Sequence, residues 1–273
     1  MRKFTITLST IAFIASPTFA DDKTKHNEAF TNNFDGPYLG VELGLGANVG
    51  RNSGQLSGLV LDSSITPIPI EMLTLTGRNG QTGILGGLNA GWNWALPRHS
   101  EAHWLVGLDF FADVANIKTS NTSAKAIITR GLTLNQSLSH KTNMKWGIGA
   151  GAKFGMIIEN VLLFTTVHWV GSQFNLKGSF NIGVSGSAPV FFATAKERKF
   201  LSGVRAGLGF EMPVSNHVKL GMNAGYSWYQ DIKKRANIIV TTLATTNGTV
   251  KFKSTPNVMD VKATMAWAFN GIS

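Results

Sequence analysis

Residues 145–156 read Lys145-Trp146-Gly147-Ile148-Gly149-Ala150-Gly151-Ala152-Lys153-Phe154-Gly155-Met156. Every even position is apolar, and every odd position is glycine or lysine. A repeat of two marks a β-strand whose faces meet different media. A soluble sheet also alternates, but it seldom builds its polar face from glycine. A narrow membrane barrel does: its lumen is crowded, and its outer wall meets lipid, with aromatic girdles at the two interfaces. The stretch predicts a transmembrane strand with Trp146 to Met156 outward and Lys145 to Gly155 inward.

Seven further stretches carry the same pattern, at 38–47, 81–95, 101–117, 161–173, 199–212, 218–232 and 258–269. In the first, Leu39, Val41, Leu43 and Leu45 face out while Gly40, Glu42, Gly44 and Gly46 face in. In 161–173, Leu163, Val167 and Trp169 face out against Phe164, Thr166, His168 and Ser172. Eight is an even number, as single-chain bacterial barrels require. The predicted fold is all-β, an eight-stranded antiparallel transmembrane up-and-down β-barrel. Links at 96–100, 157–160 and 213–217 are short, whereas those at about 48–79, 118–142, 175–198 and 233–256 are long. That alternation predicts short periplasmic turns and four long extracellular loops. Apolar runs inside loop 1 (56–75) and loop 4 (238–240 and 250–252) are read as hairpins extending the wall above the membrane. Extra strands within the membrane are the alternative. All seven tryptophans fall on the outward parity: Trp92, Trp94, Trp104 and Trp267 near the short turns, Trp146, Trp169 and Trp228 towards the long loops. They form two predicted girdles.

Residues 1–20 have the form of a secretory signal peptide. Arg2 and Lys3 precede a short apolar core that Pro17 ends, and Thr18-Phe19-Ala20 supplies the small residues a peptidase reads. The core is well short of the ~20 residues of a spanning helix. Residues 21–36 read as a polar, unstructured periplasmic arm, 37–269 as the barrel and 270–273 as a tail. The chain has no cysteine, so disulfides, thiol nucleophiles and a lipoprotein anchor are excluded. The formal charge is +10; without Arg2 and Lys3 it is +8. An exported chain with dispersed charge does not suit nucleic acid. A mean hydropathy of +0.06 excludes a helical membrane protein and suits a barrel, where only alternate residues are apolar. Gly44, Gly46 and Gly50 miss the spacing of a phosphate loop, and no cofactor or metal is implied.

Charged residues on the inward parity are Glu42, Asp109, Asp113, Lys145, Lys153, Arg205, Glu211, Lys219, Asp260 and Lys262. Their mixed signs predict a lumen polar network, because unpaired charges in so narrow a space are costly. Counting from the short turns places Asp109, Arg205 and Lys262 at one height and Asp113 beside Lys145. Such a network is either a structural plug or a gated ion path. The long loops carry the excess base: Lys118, Lys125, Arg130 and Lys141 in loop 2, and Lys177, Lys196, Arg198 and Lys199 in loop 3, with Glu197 opposing. Loop 4 adds Lys233, Lys234, Arg235, Lys251 and Lys253. A basic outer crown points to anionic partners, lipopolysaccharide phosphates or a host surface ligand.

Two motifs resemble those of small eight-stranded outer-membrane barrels, the OmpA-type transmembrane domains and opacity-type surface antigens. Gly36-Pro37-Tyr38-Leu39-Gly40 is similar to their opening G-x-Y-x-G strand, and Met265-Ala266-Trp267-Ala268-Phe269 to their C-terminal assembly signal. In that family the phenylalanine usually ends the chain, whereas here Asn270-Gly271-Ile272-Ser273 follow. The resemblance implies a Gram-negative outer membrane, outer-membrane lipid as surroundings, insertion by the barrel-assembly machinery, and a monomer. It also implies a non-enzymatic, surface-exposed role as adhesin or antigen, with a narrow low-conductance porin as the alternative. Lipid A deacylase barrels carry a His-x-Ser pair on the outer wall. No histidine here has serine two residues on, and His168-Trp169-Val170 fails at the serine, so no catalytic residue is assigned.

Overall fold

The structure, a computed structural model, describes residues 34–57, 60–61, 68–69, 74–77, 81–96, 103–129, 132–184, 189–240 and 249–269. Eight strands form the membrane wall: β1 (Gly36–Asn48), β2 (Thr82–Ala95), β3 (His103–Thr129), β4 (Leu132–Ile158), β5 (Val161–Val184), β6 (Pro189–Pro213), β7 (Val218–Tyr229) and β8 (Asn257–Ala268). Each pairs antiparallel with its neighbours in the chain, and β8 pairs with both β7 and β1. The ring is therefore closed and leaves no edge in the membrane, where unpaired backbone groups cannot be satisfied. The turn between β4 and β5 is only Glu159-Asn160, with Glu159 at φ 53°.

The outward rows are as the alternation predicts. Leu43, Val114, Val167 and Leu208 stand exposed, and all seven tryptophans lie on the outer face, 38–51% exposed. In an outer membrane, lipid covers this belt.

Four strands run far past the ~9–11 residues a bilayer needs: β3 and β4 have 27 residues each, β5 has 24 and β6 has 25. The expectation of loops at 118–142 and 175–198 is corrected, since both are strand nearly to their tips. The reason is a change of medium. On β5 the inward parity stays even from Phe164 to Ile182. The large apolar residues, however, move from odd positions (Leu163, Val167, Trp169) to even ones (Phe174, Leu176, Phe180, Ile182). Below the switch the outside is lipid; above it the outside is water, so apolar side chains turn inward. A pattern of glycine inside and aromatics outside stops there, although the strand does not.

The rest of the upper wall is a four-stranded sheet of Ile232–Asn237, Thr249–Thr255, Arg51–Ser57 and Thr74–Gly77, in that order. These segments continue β7, β8, β1 and β2, as extensions of the wall rather than further membrane strands. Their inner face packs against β4 and β5. Phe252 lies edge-on to His140, with ring centroids 5.9 Å apart, and covers Gly178, where an added Cβ would strike its ring. Ser254 Oγ donates to Asn52 Oδ1 at 2.7 Å and shares a 3.1 Å hydrogen bond with the Thr142 hydroxyl. The upper storey is thus a filled apolar core of residues such as Leu138, Phe174, Phe180, Val250 and Phe252.

At the periplasmic end, Phe34 is fully buried against Leu105, Ile157, Leu162 and Phe164. Its carbonyl accepts the Asn93 amide at 3.1 Å, and the Asp35 carboxylate accepts the Ala95 N–H at 3.1 Å. The polar arm expected through residue 36 is corrected to this extent: Phe34 is a stopper and Gly36 begins β1. The expected signal peptide, residues 21–33 of the arm, Arg130 and the tail 270–273 lie outside the described residues.

Candidate functional site: the charged lumen and the basic outer wall

Glycine on the inward rows gives the lumen the little space it has, and charged side chains fill that space. Four cations, Lys153, Arg205, Lys219 and Lys262, face five carboxylates, Glu42, Asp109, Asp113, Glu211 and Asp260. Near the periplasmic end the Lys153 ammonium donates to Glu211 at 2.7 Å and lies 4.5 Å from the centre of the Phe164 ring. Lys219 sits 4.9 Å over the Tyr38 ring. At mid-height Asp109 accepts the Tyr38 hydroxyl at 2.5 Å and the His168 Nε2–H at 2.8 Å. Lys262 bridges Glu42 and Asp113, the latter at 2.6 Å. Above them Arg205 lies across Gly225, where a Cβ would strike the guanidinium. It grips Asp260 through Nη2 at 2.6 Å and Nε at 3.4 Å, and also reaches Asn223 at 2.9 Å. Phe111 stands among these groups, 4.6 Å from the Lys262 ammonium. Paired and hydrogen-bonded in this way, the buried charges offset much of their desolvation.

Asp109, Arg205 and Lys262 line one mid-barrel void of about 20 Å³, room for roughly one water molecule. A second void of the same size lies above it, between Arg205 and Tyr229. Passage of an ion requires these pairs to part, and the apolar core above and Phe34 below to move aside.

Two expectations are corrected here, and one contact is new. Lys145 does not face the lumen: it is exposed at a β-bulge, where the register of β4 on β5 shifts between Met144 and Trp146. The extra residue turns Lys145 out beside Trp146 and keeps Met144 in. Asp113 stands opposite Gly147 and pairs with Lys262 instead of Lys145. His168 does have a carboxylate partner, Asp109, which no spacing in the sequence could reveal because the two lie on different strands.

The basic residues are strand residues of the upper storey, not loop residues, and most stand on its outer wall; Lys125, Lys199 and Lys234 fall on inward rows, opposite Gln136, Phe174 and Phe252. Lys118, Lys125, Lys141, Lys177, Lys196, Arg198, Lys199, Lys233, Arg235, Lys251 and Lys253 are exposed, and Lys234 is half-buried. Register orders them into rungs. Lys141 stands directly opposite Lys177, and Lys177 opposite Lys196. One rung nearer the membrane, Asn143 and Asn175 lie between Lys118 and Arg198. That rung is two residues above Trp146, whose indole N–H donates to Gln173 at 2.8 Å and whose ring is 5.5 Å from Phe200. On the other side of the barrel Lys233 opposes Lys253, and Arg235 opposes Lys251. Glu197, on Lys234 at 2.7 Å, and Asp231, on Lys253 at 2.9 Å, oppose part of this charge with ion pairs.

No protein-family model matches the chain, and no curated protein matches it. Solved structures do. Neisserial surface protein A is 11% identical, over 86% of this chain and 98% of that one, with a TM-score of 0.33. The outer membrane protein OprG from Pseudomonas aeruginosa is 12% identical, over 87% and 97%, with a TM-score of 0.38. The outer membrane protease OmpT from Escherichia coli is 11% identical, over 86% and 97%, with a TM-score of 0.32. This last similarity corrects the expectation of a non-enzymatic chain. The missing His-x-Ser pair removes one chemistry rather than all catalysis. By fold, as its closed ring of eight antiparallel strands and exposed apolar belt show, the chain is a small β-barrel of the transmembrane type.

Proposed function

We propose that this barrel is a surface-exposed protein whose basic collar binds the phosphates of the lipopolysaccharide around it. The observation that supports this most is the pairing of like charges directly across strands: Lys141 with Lys177, Lys177 with Lys196, Lys233 with Lys253, Arg235 with Lys251. Cross-strand neighbours stand ~5 Å apart, and like charges so placed destabilise a sheet. An anionic surrounding removes that penalty and turns it into attraction. The height also fits. The lowest basic rung begins two residues, or about 7 Å, above the upper aromatics, and phosphate groups of the outer leaflet lie just outside such a girdle.

The test compares the refolded barrel in phosphatidylcholine vesicles with and without lipopolysaccharide. Lipopolysaccharide is expected to raise the unfolding midpoint of the unaltered chain. A Lys141→Gln, Lys177→Gln, Lys196→Gln variant should lose most of that gain, and added salt should erode it. An equal gain in the variant would overturn the proposal. A variant indifferent to lipopolysaccharide yet impaired in binding a soluble sulfated polysaccharide would transfer the collar to a host ligand.

A further inference from the structure

Three neighbouring strands are interrupted at one height. β7 ends at Tyr229, ahead of Gln230-Asp231; β8 is separated from Thr249–Thr255 by Pro256; and β1 is separated from Arg51–Ser57 by Val49-Gly50. Each interruption has a local cause. Proline cannot donate to a ladder. A side chain at Gly50 would overlap the Thr255 carbonyl, and the Gly50 N–H is instead taken by Asn48 Oδ1 at 3.0 Å. On the outer wall the three breaks open a cavity of about 520 Å³, bounded by Arg51, Tyr226, Asp231, Lys253, Thr255 and Asn257. Small-molecule sites commonly span ~300–1,000 Å³.

The notch sits between two media. Below it are lipid-facing side chains, Leu45, Met259 and Val261, all exposed on the outer wall. Tyr226 belongs to the upper girdle, its ring 4.6 Å from that of Trp228. On the other side stand two cations. Lys253 is paired with Asp231, whereas Arg51 has no carboxylate partner among the described residues. Asp231 also accepts the Thr255 hydroxyl at 2.5 Å. That bond, with Lys253 and nearby Lys233, holds the carboxyl below its usual range despite some burial. It therefore stays an acceptor at neutral pH.

We propose that the notch is a discrete headgroup site for a phosphorylated glycolipid of the outer leaflet. Arg51 takes the phosphate through its planar fork, with Lys253 as second cation. Asp231 and Asn257 meet sugar hydroxyls, Tyr226 lies against the sugar ring, and the acyl chains follow Leu45 and Met259 down the wall. The proposal rests on the lipopolysaccharide reading above, but adds a single stoichiometric site on the face opposite the Lys141–Lys177–Lys196 rung.

Native mass spectrometry of the full barrel in detergent, titrated with bis-phosphorylated lipid A, separates the two. One tight adduct is expected. Arg51→Gln should weaken it by about tenfold or more, the value of one charge-assisted hydrogen bond. Tyr226→Leu, which keeps the lipid-facing wall apolar, should weaken it as well. The triple lysine variant should leave it in place. Loss in the triple variant but not in Arg51→Gln would overturn the notch and leave the collar standing; indifference of all the variants would overturn both. Equal binding of free glucosamine 1-phosphate would overturn the lipid assignment in favour of a soluble sugar phosphate.

Discussion

Arg205 and Asp260 show what one residue does in so narrow a lumen. Both are nearly fully buried, and the guanidinium holds the carboxylate with two nitrogens. Removing one partner leaves the other charge stranded, which typically costs about 3–5 kcal/mol. Asp260→Ala is expected to lower denaturant stability in vesicles by an amount in that range, softened where Asn223 still reaches Arg205. A change below about 1 kcal/mol, the worth of an exposed pair, would mean that the pair is wet. None of these partners is legible from sequence. Counting heights sets Asp113 beside Lys145, whereas the bulge turns Lys145 outward and Asp113 meets Lys262 instead.

At the scale of elements, the upper storey and the membrane wall share strands but not stabilising forces. The wall needs lipid; the storey above has its own apolar core, with His140 sealed inside it against Phe252. Burial pushes the His140 imidazole down to about 4 from its usual 6.5, a hydrogen bond to the Ser53 backbone partly opposing. The closed storey therefore binds this proton less tightly than an opened one. Its stability is whole above about pH 6.5 and falls as the pH drops towards about 4, by up to ~1.4 kcal/mol per unit. Limited proteolysis across that range should cut the storey while the membrane strands stay protected, and His140→Gln should flatten the dependence. Cutting that is independent of pH would show that His140 is not what closes the storey. The sequence suggests these elements only in part. Lys251 and Lys253 alternate with Val250 and Phe252, a strand signal of opposite polarity to that of the wall, and this marks a hairpin above the membrane but not its length or partners.

For the whole molecule, the lumen is stoppered at three levels: Phe34 and its neighbours below, the ion pairs at mid-height, the apolar core above. Single-channel recording on the barrel in a planar bilayer is expected to give no discrete steps. Steps that change on neutralising Asp109 or Arg205 would favour a narrow pore instead.

Period-two alternation, the inward glycines and the outward tryptophans are local consequences of a wall between lipid and a crowded interior. The sequence by itself therefore determined the strand count, the inward and outward rows and the girdles. Which charge meets which, where the bulge turns Lys145 outward, how Phe34 closes the mouth and how three strand breaks meet in one notch were decided only by the tertiary structure. Those contacts join residues up to 220 positions apart, as Lys262 and Glu42 are. Their closeness comes from ring closure and strand stagger, which no local pattern encodes.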